Sequence, residues 1–373
     1  MVQTGLSVLQ QIERMRGQLP AEEPGARGIE HWARNPACQR LGALVLAGIA
    51  PTTVMQSVYQ ESLHKEQSPF ALLRGITFER SLFENNAARL IDLYQKAGLL
   101  PASPRVVNLD LLVPQTNAAA LAHRRALTQR YIQEKLRRDT HAPHMIIHSR
   151  LQFTLYNVPH DIEPDLLIAS EADPCYRPGE IKSFPDREGK TDRADLRGAL
   201  RQAAVAVLGL RQLLSQWGIP FPERLVLPRA DLILRVLGSS YATLRPMTLR
   251  QECASIQVIL AQAPQVFHTL EQQLLAIGLH AALDQPGVLD QIPNHFTPTC
   301  KEFCPLAPHC KKQAQQRSEP IVLGNQACQE LAPAGTLARA WNLLNGHPPA
   351  TPDEQDVAQR LQEAVSEWKK GVT

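Results

Sequence analysis

The sequence predicts an α/β fold: a central mixed β-sheet flanked by helices, with helical additions at its amino- and carboxyl-terminal ends. Three observations carry this expectation. Helical periodicity dominates residues 1–140, short β-branched and apolar runs surround one long alanine-rich helix in 141–283, and helical sequence returns after about 320. Between them, residues 284–320 are irregular and cysteine-containing, which divides the chain into 1–140, 141–283, 284–320 and 321–373.

Taken in order, 7–17 and 29–49 read as helices, with Cys38 inside the second. Residues 69–98 carry Phe78, Leu82, Phe83, Leu90, Leu93 and Tyr94 at helical intervals, and Pro101 and Pro104 end the run. A helix rich in alanine, leucine and arginine spans 117–138. Residues 145–155 have strand composition, as do 165–169, bounded by Pro164 and Glu171, and 180–184 after Pro174 and Pro178. Asp192 is a plausible cap for a helix over 192–217. Strands near 230–237 and 241–245 precede helical sequence over 248–283, where Pro264 predicts a break or kink. The tail holds two helical segments, the second opened by Thr351-Pro352-Asp353-Glu354, a capping box with proline at the first helical position.

The 373 residues are 44% hydrophobic and 20% charged, with a formal net charge of only +3, so any basic binding surface must be local. No stretch is apolar over the ~18 residues a membrane span needs; 41–51 comes nearest. The amino terminus mixes polar and charged residues where a signal peptide has an apolar centre, so a cytoplasmic protein is expected. Disulfides are uncommon there, and grouped cysteines then point to metal binding or redox chemistry.

The chemistry concentrates in Pro164-Asp165 and, fifteen residues after Asp165, in Gly179-Glu180-Ile181-Lys182. Two short strands joined by a proline-bearing turn can lie side by side. Strand periodicity then puts Glu180 and Lys182 on one face and turns Ile181 inward. Paired carboxylates suit Mg²⁺ or Mn²⁺, which prefer oxygen ligands, and such ions stabilise in-line displacement at phosphorus. A neighbouring lysine can orient or deprotonate the attacking water. Read alone, the same residues also describe a turn cap and a solvated pair on an edge strand; the partner Asp165 and the strand context favour the catalytic reading.

This PD-x(n)-(D/E)-x-K pattern resembles the PD-(D/E)XK nuclease superfamily, and its surroundings resemble the RecB-like branch that carries an iron–sulfur cluster. That branch includes the nuclease domain of AddB and the CRISPR-associated iron–sulfur exonucleases. Residues Arg74 to Glu79 (RGITFE) match the branch's G-x-x-x-E helix, and Lys190-Thr191-Asp192 leads to Gln202 as its glutamine motif. The chain departs from the pattern in lacking a histidine beside Gly75 and in having Ala206 where a tyrosine often follows. The resemblance implies a restriction-endonuclease-like core and a metal-dependent DNA exonuclease acting on single-stranded ends, in repair, CRISPR adaptation or defence. It assigns metal binding to Asp165, Glu180 and the Ile181 carbonyl with Glu79 assisting, water activation to Lys182, and a catalytic role to Gln202.

Cys300, Cys304 and Cys310 form C-x3-C-x5-C, a spacing that lets thiolates converge on one metal centre. A [4Fe-4S] cluster needs a fourth thiolate. The resemblance supplies Cys38 in that role, one upstream cysteine and three late ones being the branch's arrangement. Zinc held with His295 or His309 is the rival reading. Cys175, Cys253 and Cys328 stand ungrouped.

For nucleic acid, Arg124, Arg125 and Arg130, with Lys135, Arg137 and Arg138, form a basic stripe on the 117–138 helix, while His148, Arg150 and Lys190 flank the carboxylates. A solvated helix face is the alternative for the stripe. Two other functions stay open: a catalytically silent DNA-binding or scaffold subunit of a larger nuclease–helicase complex, and a zinc-dependent RNA-processing protein. The tail suits docking of a protein partner such as a helicase or another nuclease.

Overall fold

A computed structural model describes residues 7–22, 24–61, 69–186, 191–237 and 241–372. Its strands are β1 (Val106–Asn108), β2 (Met145–Ile147), β3 (Leu151–Leu155), β4 (Val158–Ile162), β5 (Leu166–Ile168), β6 (Arg177–Asp186), β7 (Arg229–Val236) and β8 (Ala242–Thr248). Six of them form one mixed sheet in the order β1-β2-β5-β6-β7-β8, with β1–β2 and β6–β7 parallel and the other neighbours antiparallel. β3 and β4 pair separately as a hairpin.

Alternation along the strands sorts the side chains onto two faces. Met145, Ile147, Leu166, Ile168, Ile181 and Ile233 pack with Phe78, Leu82, Leu90 and Tyr94 of the Pro69–Lys96 helix. Ile146, Leu167, Leu232 and Leu234 join the larger core on the opposite face. There the Arg193–Gln216 helix contributes Ala199, Ala203, Ala204 and Val207, small residues that let it lie close to the sheet. Asp192 caps this helix as expected, accepting from the N–H groups of Ala194 at 2.8 Å and Asp195 at 3.1 Å. The fold is therefore mixed α/β with a helix-flanked sheet, as the sequence predicts.

Several elements differ from expectation, each for a local reason. Asn35-Pro36 ends the Gly25–Arg34 helix, so Cys38 is not inside a helix but sits just before Gln39–Leu46, in extended backbone. The 145–155 run splits because His148 adopts φ 52°, turning the chain so that β3 leaves the main sheet to pair with β4. β1 joins the sheet from inside the region read as helical. The Pro69–Lys96 run is interrupted over 84–87, where Asn85, Asn86 and Ala87 are left-handed; asparagine tolerates that conformation better than most residues. No break appears at Pro264, which lies within one continuous helix, Arg250–Ile277. The 284–320 segment, expected irregular, holds the Ala307–Gln316 helix.

The tail contains Leu337–Leu344 and Pro352–Val372, with a small core of its own around Ala340, Leu343 and Val357. Thr351 caps the last helix through Glu354 N–H, but Glu354 turns its carboxylate to Arg339 and to Ala350 N–H rather than completing the box. Among the described residues no single helix is long and apolar enough to cross a membrane; the bent pair Gln39–Leu46 and Pro51–Val58 passes on composition, and Leu41, Leu44, Val54 and Met55 from it are core residues.

Buried His160 on β4 gives a test of this packing. Burial holds its pKa down to about 4, against an ordinary value of 6.5. Between those values the unfolded chain binds the extra proton, so the stability from neutral His160 is present above pH 6.5 and lost as pH falls toward 4. Thermal melting across that window will show a steeper acid decline for wild type than for His160→Leu; equal slopes would contradict the burial.

Candidate active site

Site geometry starts from the β5–β6 pairing, in which Leu166 lies opposite Gly179. One step further along this antiparallel register, Asp165 stands opposite Glu180. Both then fall on the face away from Leu166 and Ile181. A side chain at residue 179 would be crowded: a Cβ there would sit 3.1 Å from both Leu166 Cβ and the Tyr94 hydroxyl. Beneath the site, buried Arg177 fixes the start of β6 by donating to Asp231 Oδ2 at 2.8 Å and to Asp173 Oδ2 at 2.7 Å.

Asp165 Oδ2 accepts the Ile181 N–H at 2.7 Å, and the Lys182 ammonium donates to Glu180 Oε1. Immediately after Lys182 the β6–β7 register shifts, a bulge that ends the regular ladder where the charged side chains emerge. Glu79 completes the group from the Pro69–Lys96 helix. Its carboxyl is held above the ordinary value by burial and then by the negative charge of Asp165, against the opposing pull of His148 and Lys182. Glu180 is pushed up to about 7, chiefly by burial, with Asp165 and Glu79 adding to the rise and Lys182 opposing it. Burial disfavours the Lys182 ammonium, but Glu180 and Asp165 outweigh it and raise the pKa. Three carboxylates and one ammonium thus share a single electrostatic field.

His148, expected to flank the carboxylates, does so: it donates its backbone N–H to Asp165 O at 3.0 Å and sets its ring edge-on to Phe83, with centroids 4.8 Å apart. Its ring nitrogens lie 3.7 Å from Asp110 and 3.8 Å from Glu163. Around it the structure adds Asp110, Glu163 and Arg27, which the sequence did not place in the site. Asp110 follows β1 directly, and a three-residue strand left no periodic signal to find it by. Arg27, on the Gly25–Arg34 helix, is exposed and close enough to influence Lys182.

Gln202 lines one groove with Lys182; the same groove continues past Arg27 and Arg34 to Lys301, Cys304 and Lys311. Ile181 is buried among the residues under the Pro69–Lys96 helix, as strand periodicity requires. Among the described residues no three His, Cys, Asp or Glu side chains are arranged to hold a metal ion as they stand. The reason at the carboxylates is local: Glu180 is engaged by Lys182 and Asp165 by a backbone N–H. As donors, hard carboxylate oxygens on adjacent strands still fit Mg²⁺ or Mn²⁺.

Cys38, Cys300, Cys304 and Cys310 line one small pocket, together with Asn35 and His295. Burial raises the thiols of Cys38 and Cys304 and pushes Cys310 up to about 12, so the uncharged forms are favoured. N–H donors already point at two of them: Asn35 Nδ2 lies 3.3 Å from Cys300 Sγ, Thr297 N 3.4 Å from the same atom, and Arg40 Nη1 3.7 Å from Cys310 Sγ. The four thiols are not arranged to hold a metal as they stand, but four sulfurs on one pocket, two of them met by N–H donors, are the donor set that an iron–sulfur cluster takes. Of the two histidines, His295 lines the pocket, whereas His309 stacks on Tyr59 at 3.8 Å and bonds Asp290. Cys175 and Cys253 are buried elsewhere, and Cys328 is partly exposed.

The basic stripe does not form as expected. Arg124 is buried, with its guanidinium on Val113 O, Gln115 O and Asp110. Arg125 pairs with Asp161, and Arg150 with Asp161 and Glu163. Arg130 is exposed and paired with Glu134 one turn on. Helix periodicity alone could not distinguish the inward Arg124 from its outward neighbours. Lys190 lies outside the described residues.

Two substitutions test these placements. Gly179→Ala must displace Leu166 or Tyr94, costing about 1–3 kcal/mol as overpacking does; unchanged melting would contradict the register. Arg124→Ala leaves the Val113 carbonyl without its partner, a loss of about 1–3 kcal/mol. Calorimetry should register that loss, while affinity for single-stranded DNA stays unchanged.

A scan against protein-family models and a search of the curated proteins each gave no match, so the site rests on its own geometry.

Proposed function

We propose that this chain is a Mg²⁺- or Mn²⁺-dependent deoxyribonuclease of the PD-(D/E)XK kind, with a restriction-endonuclease-like core and a cysteine-held [4Fe-4S] cluster of structural role. The observation that carries the reading is the β5–β6 register, which one step beyond Leu166 and Gly179 sets Asp165 opposite Glu180, with Asp165 bonded to Ile181 N–H and Lys182 on the same strand face as Glu180. Single-stranded DNA ends, processed as an exonuclease would, are the substrate class the resemblance favours. A cytoplasmic setting and a helicase-like partner on the tail belong to the same reading.

In this mechanism Asp165 and Glu180 would hold the divalent ion, with the Ile181 carbonyl and Glu79 as further ligands. The bound ion would neutralise phosphate charge and lower the pKa of the attacking water. Glu180 must be ionised for this task, and its raised pKa means a positive partner is needed at neutral pH. Lys182 fills that place in the metal-free site. Freed from Glu180, the Lys182 ammonium can orient the water or meet the phosphate. Gln202, on the same groove, is a positioning residue for the strand near Lys182. Arg27, Lys301 and Lys311 line the continuation of that groove and offer cations to the phosphates beyond the scissile one.

The closed Lys182–Glu180 pair favours one second reading, a DNA-binding subunit whose site is satisfied without metal. Labelled single-stranded DNA, duplex DNA and RNA incubated with Mn²⁺ separate the two. Cleavage of single-stranded DNA by wild type, abolished by EDTA and reduced on the order of 10²–10⁴-fold in Lys182→Ala, is the expected result. Binding without cleavage would establish the silent subunit, and cleavage that survives Lys182→Ala would remove this mechanism.

A further inference from the structure

Arg40 presents a problem of charge. It lies two residues after Cys38 and is fully buried, at 0% exposure. Its guanidinium donates to Ile292 O at 3.2 and 3.0 Å, to Asp290 O at 3.2 Å and to Gln313 Oε1 at 2.8 Å. All of these acceptors are neutral. Among the described residues it makes no ion pair with a carboxylate. The Asp290 carboxylate, which feels Arg40's charge, is engaged instead by Tyr59 at 2.6 Å, Gln313 at 2.8 Å and His309 at 2.9 Å. A buried guanidinium without a directly paired anion is costly, because hydrogen bonds to carbonyls do not replace the lost hydration of a full charge. The one remaining contact is Arg40 Nη1 to Cys310 Sγ at 3.7 Å.

We infer that Arg40 is the built-in counter-charge of an anionic metal–thiolate centre formed by Cys38, Cys300, Cys304 and Cys310, and that it positions Cys310 and sets the reduction potential of the centre. The inference rests on the proposed metal role of these cysteines but not on the nuclease reading. Four thiolates around a zinc ion or an iron–sulfur cubane carry net negative charge, and the structure places one buried cation against Cys310. Asn35 plays a smaller part from the other side of Cys38, reaching Cys300 Sγ while also holding the carbonyl of His295 at 2.7 Å. The short run from Asn35 to Arg40 thus supplies one ligand and two N–H donors to a centre whose other ligands lie more than 250 residues away. A positive charge and an N–H···S bond both favour the reduced, more negative state, so removing them lowers the potential.

The test uses the full chain, reconstituted without oxygen using ferrous iron and sulfide, and separately with zinc alone. Wild type, Arg40→Gln and Arg40→Lys are compared by visible absorbance, by spectroelectrochemical titration and by the rate at which a chelator strips the metal. Arg40→Gln is expected to load the cluster, to show a lower midpoint potential and to lose metal at least tenfold faster. Arg40→Lys, which restores charge without the planar fork, should recover most of the potential and only part of the retention. It also serves where the neutral variant fails to fold. Cluster loading with potential and retention unchanged in both variants would overturn the role of Arg40 and leave the cluster standing. Zinc retention without any cluster would overturn the iron–sulfur reading, and Arg40 would then be upheld by tenfold faster zinc loss in Arg40→Gln and refuted by equal rates. Binding of neither metal by wild type would overturn both.

Discussion

The antiparallel contact between β5 and β6 is the constraint on which the proposed site depends. It sets Asp165 against Glu180, and strand alternation then sends Lys182 to the same face while Ile181 is buried behind it. A one-residue slip would send these charges to the face packed under the Pro69–Lys96 helix. The register is protected on both sides: Gly179 fits closely between Leu166 and Tyr94, and Arg177 anchors the strand start through Asp231 and Asp173. The carboxylates are thereby held close in a poorly hydrated place; burial first, and the neighbouring negative charges second, raise both Glu180 and Glu79. Electrostatic strain of this kind is relieved by a cation, whether the Lys182 ammonium or a divalent ion.

Two distant regions converge around this centre. The amino-terminal helices bring Arg27 toward Lys182 and Cys38 toward the late cysteines, and backbone bonds such as Arg40 N to Pro293 O and Leu283 N to Met15 O stitch the two ends together. Lys182 and Cys304 line one groove, which connects the lysine of the proposed site with one cysteine of the pocket. A metal in the cysteine pocket would fix the wall along which a strand leaves the site. This makes its proposed structural role a condition of substrate positioning.

Much of this was legible in the sequence because it depends on short-range rules. Period-two alternation put Glu180 and Lys182 together and turned Ile181 inward, and cap chemistry located Asp192. Cysteine spacing and the family resemblance drew Cys38 to the late group. Legibility failed where tertiary contacts decide. Arg124 looked like its neighbours until packing turned it onto Val113 O, and Arg125 and Arg150 are claimed by Asp161 from β4, a strand whose pairing the sequence did not reveal. His148 breaks an apparently continuous strand through one left-handed residue. Asp110 and Glu163 enter the site only through the fold.

The central claim is that Asp165 and Glu180 share one divalent ion, and Mn²⁺ binding followed by electron paramagnetic resonance tests it without relying on catalysis. Wild type is predicted to take up one tightly bound ion, with at least tenfold weaker binding in both Asp165→Asn and Glu180→Gln and no change in Cys300→Ser. Equal Mn²⁺ affinity in wild type and the two carboxylate variants would contradict the account.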